Sequence, residues 1–189
     1  MEETDAAAVA RAKAGDKDGF RSLVERHSRS VFRLAYRLTG NEQDAEDVVQ
    51  ETFLRAYKQL HHFESRASFG TWLYRIAANY SLDLIRSRRR HQDQRAVAEE
   101  ENDALLSIPS PTPGPDRVAY SAQVEGRIAS AMAELSEQER TAFVLRHFEG
   151  FSIEEIAATL DLGASAAKHS IFRAVQKLRK SLEPIVSSL

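Results

Sequence analysis

The sequence predicts an all-α protein, two small helical domains joined by a flexible acidic linker. Three observations carry this reading. No stretch alternates apolar and polar residues long enough to make a strand. Apolar residues instead recur at helical spacing between identifiable caps along most of the chain. One segment loses that period: four of the five prolines lie there, at 109, 111, 113 and 115. From Gln92 to Asp116 six acids stand against Arg95 alone, a balance of -5. Such a segment is extended and solvated and holds no core. The expected domains are therefore 1–92 and 117–189, with the linker at 93–116.

Taken in order, Thr4 caps a short helix that Gly15 stops. A helix from Phe20 to Leu38 follows, its stripe being Phe20, Leu23, Val24, Val31, Leu34, Ala35 and Leu38, and Gly40 ends it. Asn41 is a good N-cap for the next helix, whose buried face reads Ala45, Val48, Val49, Thr52, Phe53, Ala56, Tyr57 and Leu60. His61 to Ala67 is a loop. Ser68 caps a long helix to about Arg90, with Phe69, Trp72, Leu73, Ile76, Ala77, Tyr80 and Leu84 inward and Thr71, Arg75, Asn79, Leu82, Arg86 and Arg90 on the far side.

Beyond the linker, a helix from about Arg117 to Glu134 carries Val118, Val124, Ile128 and Met132. Ser136 with Glu139, and Ser152 with Glu155, are S-x-x-E capping boxes that open two further helices. The first buries Ala142, Phe143, Leu145 and Phe148 and stops at Gly150; the second buries Ile153, Ile156, Ala157 and Leu160. Gly163 suits the sharp turn that follows, and Ser165 is the expected cap of the last helix. That helix has an apolar stripe of Ile171, Val175, Leu178 and Leu182. Between Ala166 and Lys180 it carries Lys168, Arg173, Lys177, Arg179 and Lys180 and no acid, a local +5. A basic helix after a tight turn is the reading element of a helix-turn-helix; the alternative is a helical hairpin with a solvated basic face.

Composition narrows the function. The net charge of -2 excludes a uniformly basic coat but not local basic faces. The absence of cysteine excludes disulfides, thiol catalysis and thiolate metal sites. The start, MEETDAAAVARAKAGD, is no signal peptide, and no apolar run approaches the roughly 20 residues that cross a bilayer, so a cytoplasmic protein without membrane insertion is expected. No G-x-S-x-G, P-loop or H-E-x-x-H occurs, and the adjacent His61 and His62 lack the spaced partners of a zinc site. Neither an enzyme nor a cofactor or metal is expected.

Three faces differ in chemistry. The basic last helix suits duplex DNA. The loop after His61, with the far face of the next helix, interleaves Phe63, Phe69, Trp72, Tyr74 and Tyr80 with Arg66, Arg75 and the cluster Arg86 to Arg90. Unpaired bases need flat platforms, polar edges and cations, and this stretch holds all three. Trp72 and Tyr80, at helical spacing, read as core. Phe63 fits either a base platform or a packed loop side chain. The third face is acidic: Glu46, Asp47, Gln50 and Glu51, with Leu54, on a helix that is net -3 from Glu42 to Lys58. It keeps the protein soluble or meets a basic partner.

DAEDVVQETFLRAY (44–57) and FGTWLYRIAAN (69–79) resemble region 2 of sigma-70-type RNA polymerase initiation factors. LSEQERTAFVLRHFEGFSIEEIAATLDLG (135–163) and the helix after it resemble their region 4. The two-domain layout is similar to the extracytoplasmic-function group. The resemblance implies a non-catalytic promoter-recognition factor whose partners are core polymerase (clamp helices and flap), promoter DNA and an anti-sigma factor. By position it implies core contacts at Glu46, Asp47, Gln50, Glu51 and Leu54. It implies -10 contacts at His62, Phe63, Glu64, Ser65, Arg66, Arg75 and Asn79, with Arg86, Arg89 and Arg90 beside the melted region. It implies -35 contacts at Ser165, Lys168, His169, Phe172, Arg173 and Lys177. The acidic linker matches the segment that threads the polymerase's nucleic-acid channels.

The sequence also departs from that family. Its recognition helix commonly opens Thr-Val-Lys/Arg-Ser-Arg, where this chain has Ala166-Ala167-Lys168-His169-Ser170. Ser170 and Val175 stand where arginine is usual, and Ala166 lacks a hydroxyl for phosphate. A weaker or altered -35 hold is expected, and His169 is either a base-edge reader or a phosphate or solvent contact. The chain ends soon after this helix, so control by a separate protein or by synthesis is expected. A stand-alone regulator using 135–180 as its DNA-binding domain is the rival reading; it would bind an operator without core polymerase. A structural adaptor leaves the two basic faces and the aromatic loop without a role.

Overall fold

The computed structural model describes residues 3–96 and 126–186, which form helices joined by short turns, with no strand among them. The chain divides into two compact units, the first chiefly 1–87 and the second containing the helices after residue 126. Of the expected linker, 93–96 belong to a helix, and the rest lies outside the described residues with 117–125 of the helix after it.

The first unit contains α1 (Asp5–Lys13), α2 (Lys17–Thr39), α3 (Glu42–Gln59), a single 3-10 turn (Leu60–His62) and α4 (Phe69–Ala96). Each helix starts where a side-chain oxygen takes an orphan backbone N–H. Thr4 Oγ1 accepts from Ala7 N at 3.3 Å, Asp16 Oδ1 from Asp18 N at 2.9 Å, Asn41 Oδ1 from Asp44 N at 2.9 Å, and Ser68 Oγ from Thr71 N at 3.0 Å. The Asp16 cap lets α2 begin three residues ahead of the expected Phe20. Gly40, at φ 69°, closes α2 in the left-handed region as expected. The core is Leu23, Val31, Leu34, Leu38, Val48 and Leu73, all fully buried.

Three expectations here are corrected. Tyr57 is 53% exposed: it lies edge-on to the Phe20 ring at 5.0 Å, and the buried face of α3 passes through Thr52, Phe53 and Ala56 instead. Leu82, expected on the far side of α4, is buried next to Ala78 and Ser81, so the buried stripe drifts around the helix as it lengthens. α4 also continues to Ala96, past the expected end at Arg90; the arginine run is a helix surface and not a terminus.

The second unit contains α5 (126–133), α6 (Glu137–His147), α7 (Ile153–Leu160) and α8 (Ala164–Val186). Both capping boxes form: Glu139 N donates to Ser136 Oγ (3.2 Å) and Ser136 N to Glu139 Oε2 (3.0 Å), while Ser152 N donates to Glu155 Oε2 (2.8 Å) and Glu155 N to Ser152 Oγ (3.1 Å). Arg140 Nε donates to the Met132 carbonyl at 3.0 Å, closing the end of α5. Ala131, Leu135, Ala174 and Leu178 form a core cluster onto which Met132, Phe143 and Leu182 pack.

The turn between α7 and α8 is made differently from the expectation. Asp161, at φ 52°, takes the left-handed conformation, and Gly163 does not. Asp tolerates that region better than most residues because its short polar side chain can bond locally. α8 then starts at Ala164, and the Gly163 carbonyl accepts from Ala167 N at 3.0 Å; Ser165 is an exposed residue inside the first turn, not its cap. The buried stripe of α8 is Ala167, Ser170, Ala174 and Leu178, with Ile171 and Val175 half-buried beside it. Phe148 (53% exposed) and Ile128 (44%) lie outside the core to which they were assigned.

Candidate protein and nucleic-acid interfaces

The acidic face of α3 is realised as a surface. Glu46, Asp47 and Gln50 are exposed, and Leu54 is 47% exposed beyond them. Glu51 is half-buried because Arg55 Nε donates to its Oε1 at 2.7 Å. The Arg55 guanidinium also lies 4.7 Å from the Tyr80 ring centroid, tying α3 to α4. An apolar residue rimmed by carboxylates is suited to a basic protein surface with a hydrophobic pocket.

The loop after the 3-10 turn has a hard centre and a soft rim. Phe63 is 6% exposed, so of its two sequence readings the packed one is realised. Its ring meets Phe69 edge-on at 5.8 Å and Trp72 at 5.0 Å. Lys13 at the end of α1 donates from Nζ to the Phe63 carbonyl at 2.6 Å and lies 5.8 Å from the ring centroid. Phe63 therefore shapes the loop and offers no open platform to a base. Around it His62, Glu64, Ser65 and Arg66 are exposed, Glu64 and Arg66 pairing at 2.7 Å, and Ser65 takes a left-handed φ of 55°. On α4, Asn79, Arg86, Arg89 and Arg90 are exposed and Arg75 is half-buried, its Nε enclosed without a partner. Trp72 and Tyr80 are half-buried.

On α8, Ser165, Lys168, His169, Phe172 and Arg173 share one exposed face, with Phe172 57% exposed. An exposed phenylalanine between cations on a helix has no structural reason of its own and suits apolar contact in a groove. Lys177 is exposed as well, but its charge is paired. Its Nζ lies 2.7 Å from Oε2 of Glu139, a residue only 5% exposed, and Arg173 Nε is 3.6 Å from Oε1 of the same carboxylate. Burial pushes that carboxyl up, but the hydrogen bonds from Lys177 and Ser136 outweigh it and hold the group below the usual carboxylate range. Ser170, by contrast, does not face outward. It is fully buried, accepting from Gln138 Nε2 at 2.8 Å and donating to the Ala166 carbonyl at 3.0 Å. Reading the sequence missed Lys13, Gln138 and the bridging use of Glu139, since each acts on a residue more than thirty positions away.

Among the described residues no group of His, Asp or Glu is arranged to hold a metal, and no helix is long and apolar enough to cross a membrane. Among the described residues there is no strand, and a helix-turn-helix with an outward basic face, beside a separate acidic helix face, is the pattern of a helical DNA-binding protein. The family comparisons specify which kind. Residues 23–91 match the Sigma-70 region 2 model and residues 125–178 the Sigma-70 region 4 model. The RNA polymerase sigma-H factor of Pseudomonas aeruginosa is 35% identical over 98% of this chain and 97% of its own length. The ECF RNA polymerase sigma factor SigW of Bacillus subtilis is 31% identical over 94% and 96%. Among solved structures, CnrH in complex with the cytosolic domain of CnrY superposes with a TM-score of 0.67 at 30% identity, covering 96% of this chain and 99% of that one. The chain belongs to the sigma-70 family of RNA polymerase sigma factors, in its extracytoplasmic-function group. It is a promoter-directing transcription initiation factor and not an enzyme.

Proposed function

We propose that this factor works as a bipartite promoter clamp in the cytoplasm, with 1–92 as the core-polymerase and -10 domain, 93–116 as a linker and 117–189 as the -35 domain. The observation that carries the reading is the division of α8 into a buried stripe and an outward face of Lys168, His169, Phe172 and Arg173. That face is given to the major groove of the -35 element, with Ser165 at its start. Glu46, Asp47, Gln50, Glu51 and Leu54 are given to the clamp helices of core polymerase. His62, Glu64, Ser65, Arg66, Arg75 and Asn79 are given to the -10 element, with one of its bases turned out of the stack, and Arg86, Arg89 and Arg90 to phosphates at the upstream edge of the bubble. Unstacking a base costs on the order of a few kcal/mol, which a polar pocket offsets, so capture shifts the duplex toward the open state. CnrH is held by a cytosolic protein domain; here the equivalent partner is taken to be an anti-sigma factor that covers one of these faces.

Run-off transcription with core enzyme on genomic fragments, with start sites mapped, tests the reading. Asn79→Ala is expected to lower open-complex yield while core binding stays intact. Lys168→Ala should weaken the closed complex. A chain that binds an operator without core polymerase, and directs no start site with it, would overturn the proposal in favour of a stand-alone regulator.

A further inference from the structure

The N-terminus of α6 touches α8 at two consecutive residues. Gln138 Nε2 donates to Ser170 Oγ at 2.8 Å, and Glu139 receives Lys177 Nζ at 2.7 Å. Both contacts are anchored at their base, because Glu139 is also the acid of the capping box and accepts from Ser136 N at 3.0 Å. The carboxylate therefore has one fixed position, set by the start of its own helix. Ser170 and Lys177 lie two turns apart on α8, so two bonds fix both the rotation and the height of that helix against α6. Arg173 lies between them, 3.6 Å from the other carboxylate oxygen. At that distance it is steered but not hydrogen-bonded, whereas Lys177 is bonded outright.

We propose that Glu139 is a positioning residue for the recognition helix, and that it withholds Lys177 from the phosphate-binding set. This rests on the reading of α8 as the DNA-contacting element and adds a division among its cations. Lys168, His169 and Arg173 meet DNA. Lys177 spends its charge on Glu139 and sets the angle at which the other three arrive. The basic face is thus weaker toward phosphate than its sequence count implies. Specific hold consequently depends more on correct placement and less on bulk attraction, which limits binding to arbitrary DNA. It also gives Ser170 a role at a position where the family resemblance implies arginine, since in this chain the position is an interhelix hydrogen bond.

Salt dependence reads the number of phosphates neutralised, a quantity that loss of fold does not mimic. The measurement uses the full chain assembled with core polymerase on a duplex promoter fragment, with log K followed against log salt. Glu139→Gln keeps the capping box, because Gln serves in that position, and removes the charge. It is expected to steepen the slope by about 0.9 for one freed lysine, and to raise affinity for unrelated DNA. Lys177→Gln in the otherwise unaltered chain should leave the slope unchanged, while in the Glu139→Gln background it should lower the slope by about 0.9. Lys168→Gln is the reference and should lower the slope by about 0.9 in either background. If Lys168→Gln has no effect, α8 is not the DNA-contacting element and the wider reading fails. If Lys168→Gln behaves as stated but Lys177→Gln alone lowers the slope by the same amount, Lys177 is an ordinary phosphate contact and this proposal is overturned. Should Glu139→Gln fail to fold, the Lys177→Gln result in the unaltered chain decides the matter by itself.

Discussion

Lys13 Nζ donates to the carbonyl of Phe63 across fifty residues of sequence, at 2.6 Å. The bond runs from the last turn of α1 to the centre of the loop proposed to receive the -10 base. α1 precedes the matched region 2 segment, which begins at residue 23. The chain thus stabilises a loop of the family domain with a helix outside it. Lys13→Met keeps the aliphatic stem and removes the donor. It is expected to lower the stability of the first unit by about 1 kcal/mol, since the site is only part-buried, and to lower open-complex yield more than core binding. Phe63→Ala is expected to cost about 3–5 kcal/mol by emptying a packed site, with a fall in melting temperature that a purely base-stacking residue would not produce. A thermal melt of each variant, beside permanganate footprinting of the bubble, checks both.

α1 reaches α2 through Gly19. A Cβ there would lie 2.8 Å from Ala12 N and Ala8 O, both backbone atoms that cannot step aside. Gly19→Ala is therefore expected to destabilise the first unit by about 1–3 kcal/mol, although Ala is the better helix former by about 1 kcal/mol. Gly126 is the control. It begins the described part of α5 with nothing within 4 Å of its Cβ position. Gly126→Ala should stabilise by up to about 1 kcal/mol. Denaturant midpoints of the two variants should move in opposite directions; a shared direction would count against the close packing of α1 on α2.

The acid limb of stability follows from two carboxylates. At Asp5, burial raises the pKa but hydrogen bonds from Arg26 and His27 outweigh it, leaving the group below its ordinary value of 3.8. Glu139 in the second unit lies below its ordinary 4.5 for the reasons already given. A folded pKa depressed below the unfolded one contributes stability that is fully present above the unfolded value and lost as pH falls through the folded one. Both units should thus weaken on acidification below about pH 4.5, the unfolded-state range of these groups. Asp5→Asn should flatten the acid limb of the first unit only, and Glu139→Gln that of the second only. Urea melts from pH 3 to 7, read with a probe in each unit, separate the two; parallel limbs in the variants would refute the assignment.

Much of the architecture was legible because it rests on local rules. Both capping boxes, the Thr4 and Asn41 caps and the Gly40 stop depend on residues within four positions of one another. Positions such as Glu46, Asp47, Asn79, Lys168 and Phe172 were also legible, since surface and stripe separate by helical period. What period misses is the outcome of tertiary competition. Phe63 lies outside any stripe, yet Phe69, Trp72 and Lys13 enclose it. Ser170, although polar, lies in the stripe because Gln138 supplies the bond that burial requires. Tyr57 fits the buried period of α3 but lies where that face runs out. For Phe63 and Ser170 a partner from another helix decides, and nothing within the residue's own segment announces it.

Ser170 yields the last prediction. In the sequence it stands where the family resemblance implies an arginine, so that a DNA contact is missing; in the structure it is a fully buried hydroxyl joining α8 to α6. The two readings diverge for Ser170→Ala. A missing contact cannot be removed again, so the first reading expects no change and even a slight gain, since Ala favours helix over Ser by up to about 0.5 kcal/mol. The second expects the loss of an interhelix hydrogen bond worth about 1 kcal/mol, because Gln138 is half-buried and water recovers only part of its demand. The helix-propensity gain offsets some of this, leaving a net destabilisation of the second unit of about 0.5–1 kcal/mol. The slope of log K against log salt should stay the same, because no phosphate contact is lost, while affinity for the -35 duplex falls through misorientation of α8. Paired measurement of the second-unit melt and of -35 affinity decides: a variant as stable as the unaltered chain, with -35 affinity unchanged, would overturn the interhelix reading of Ser170.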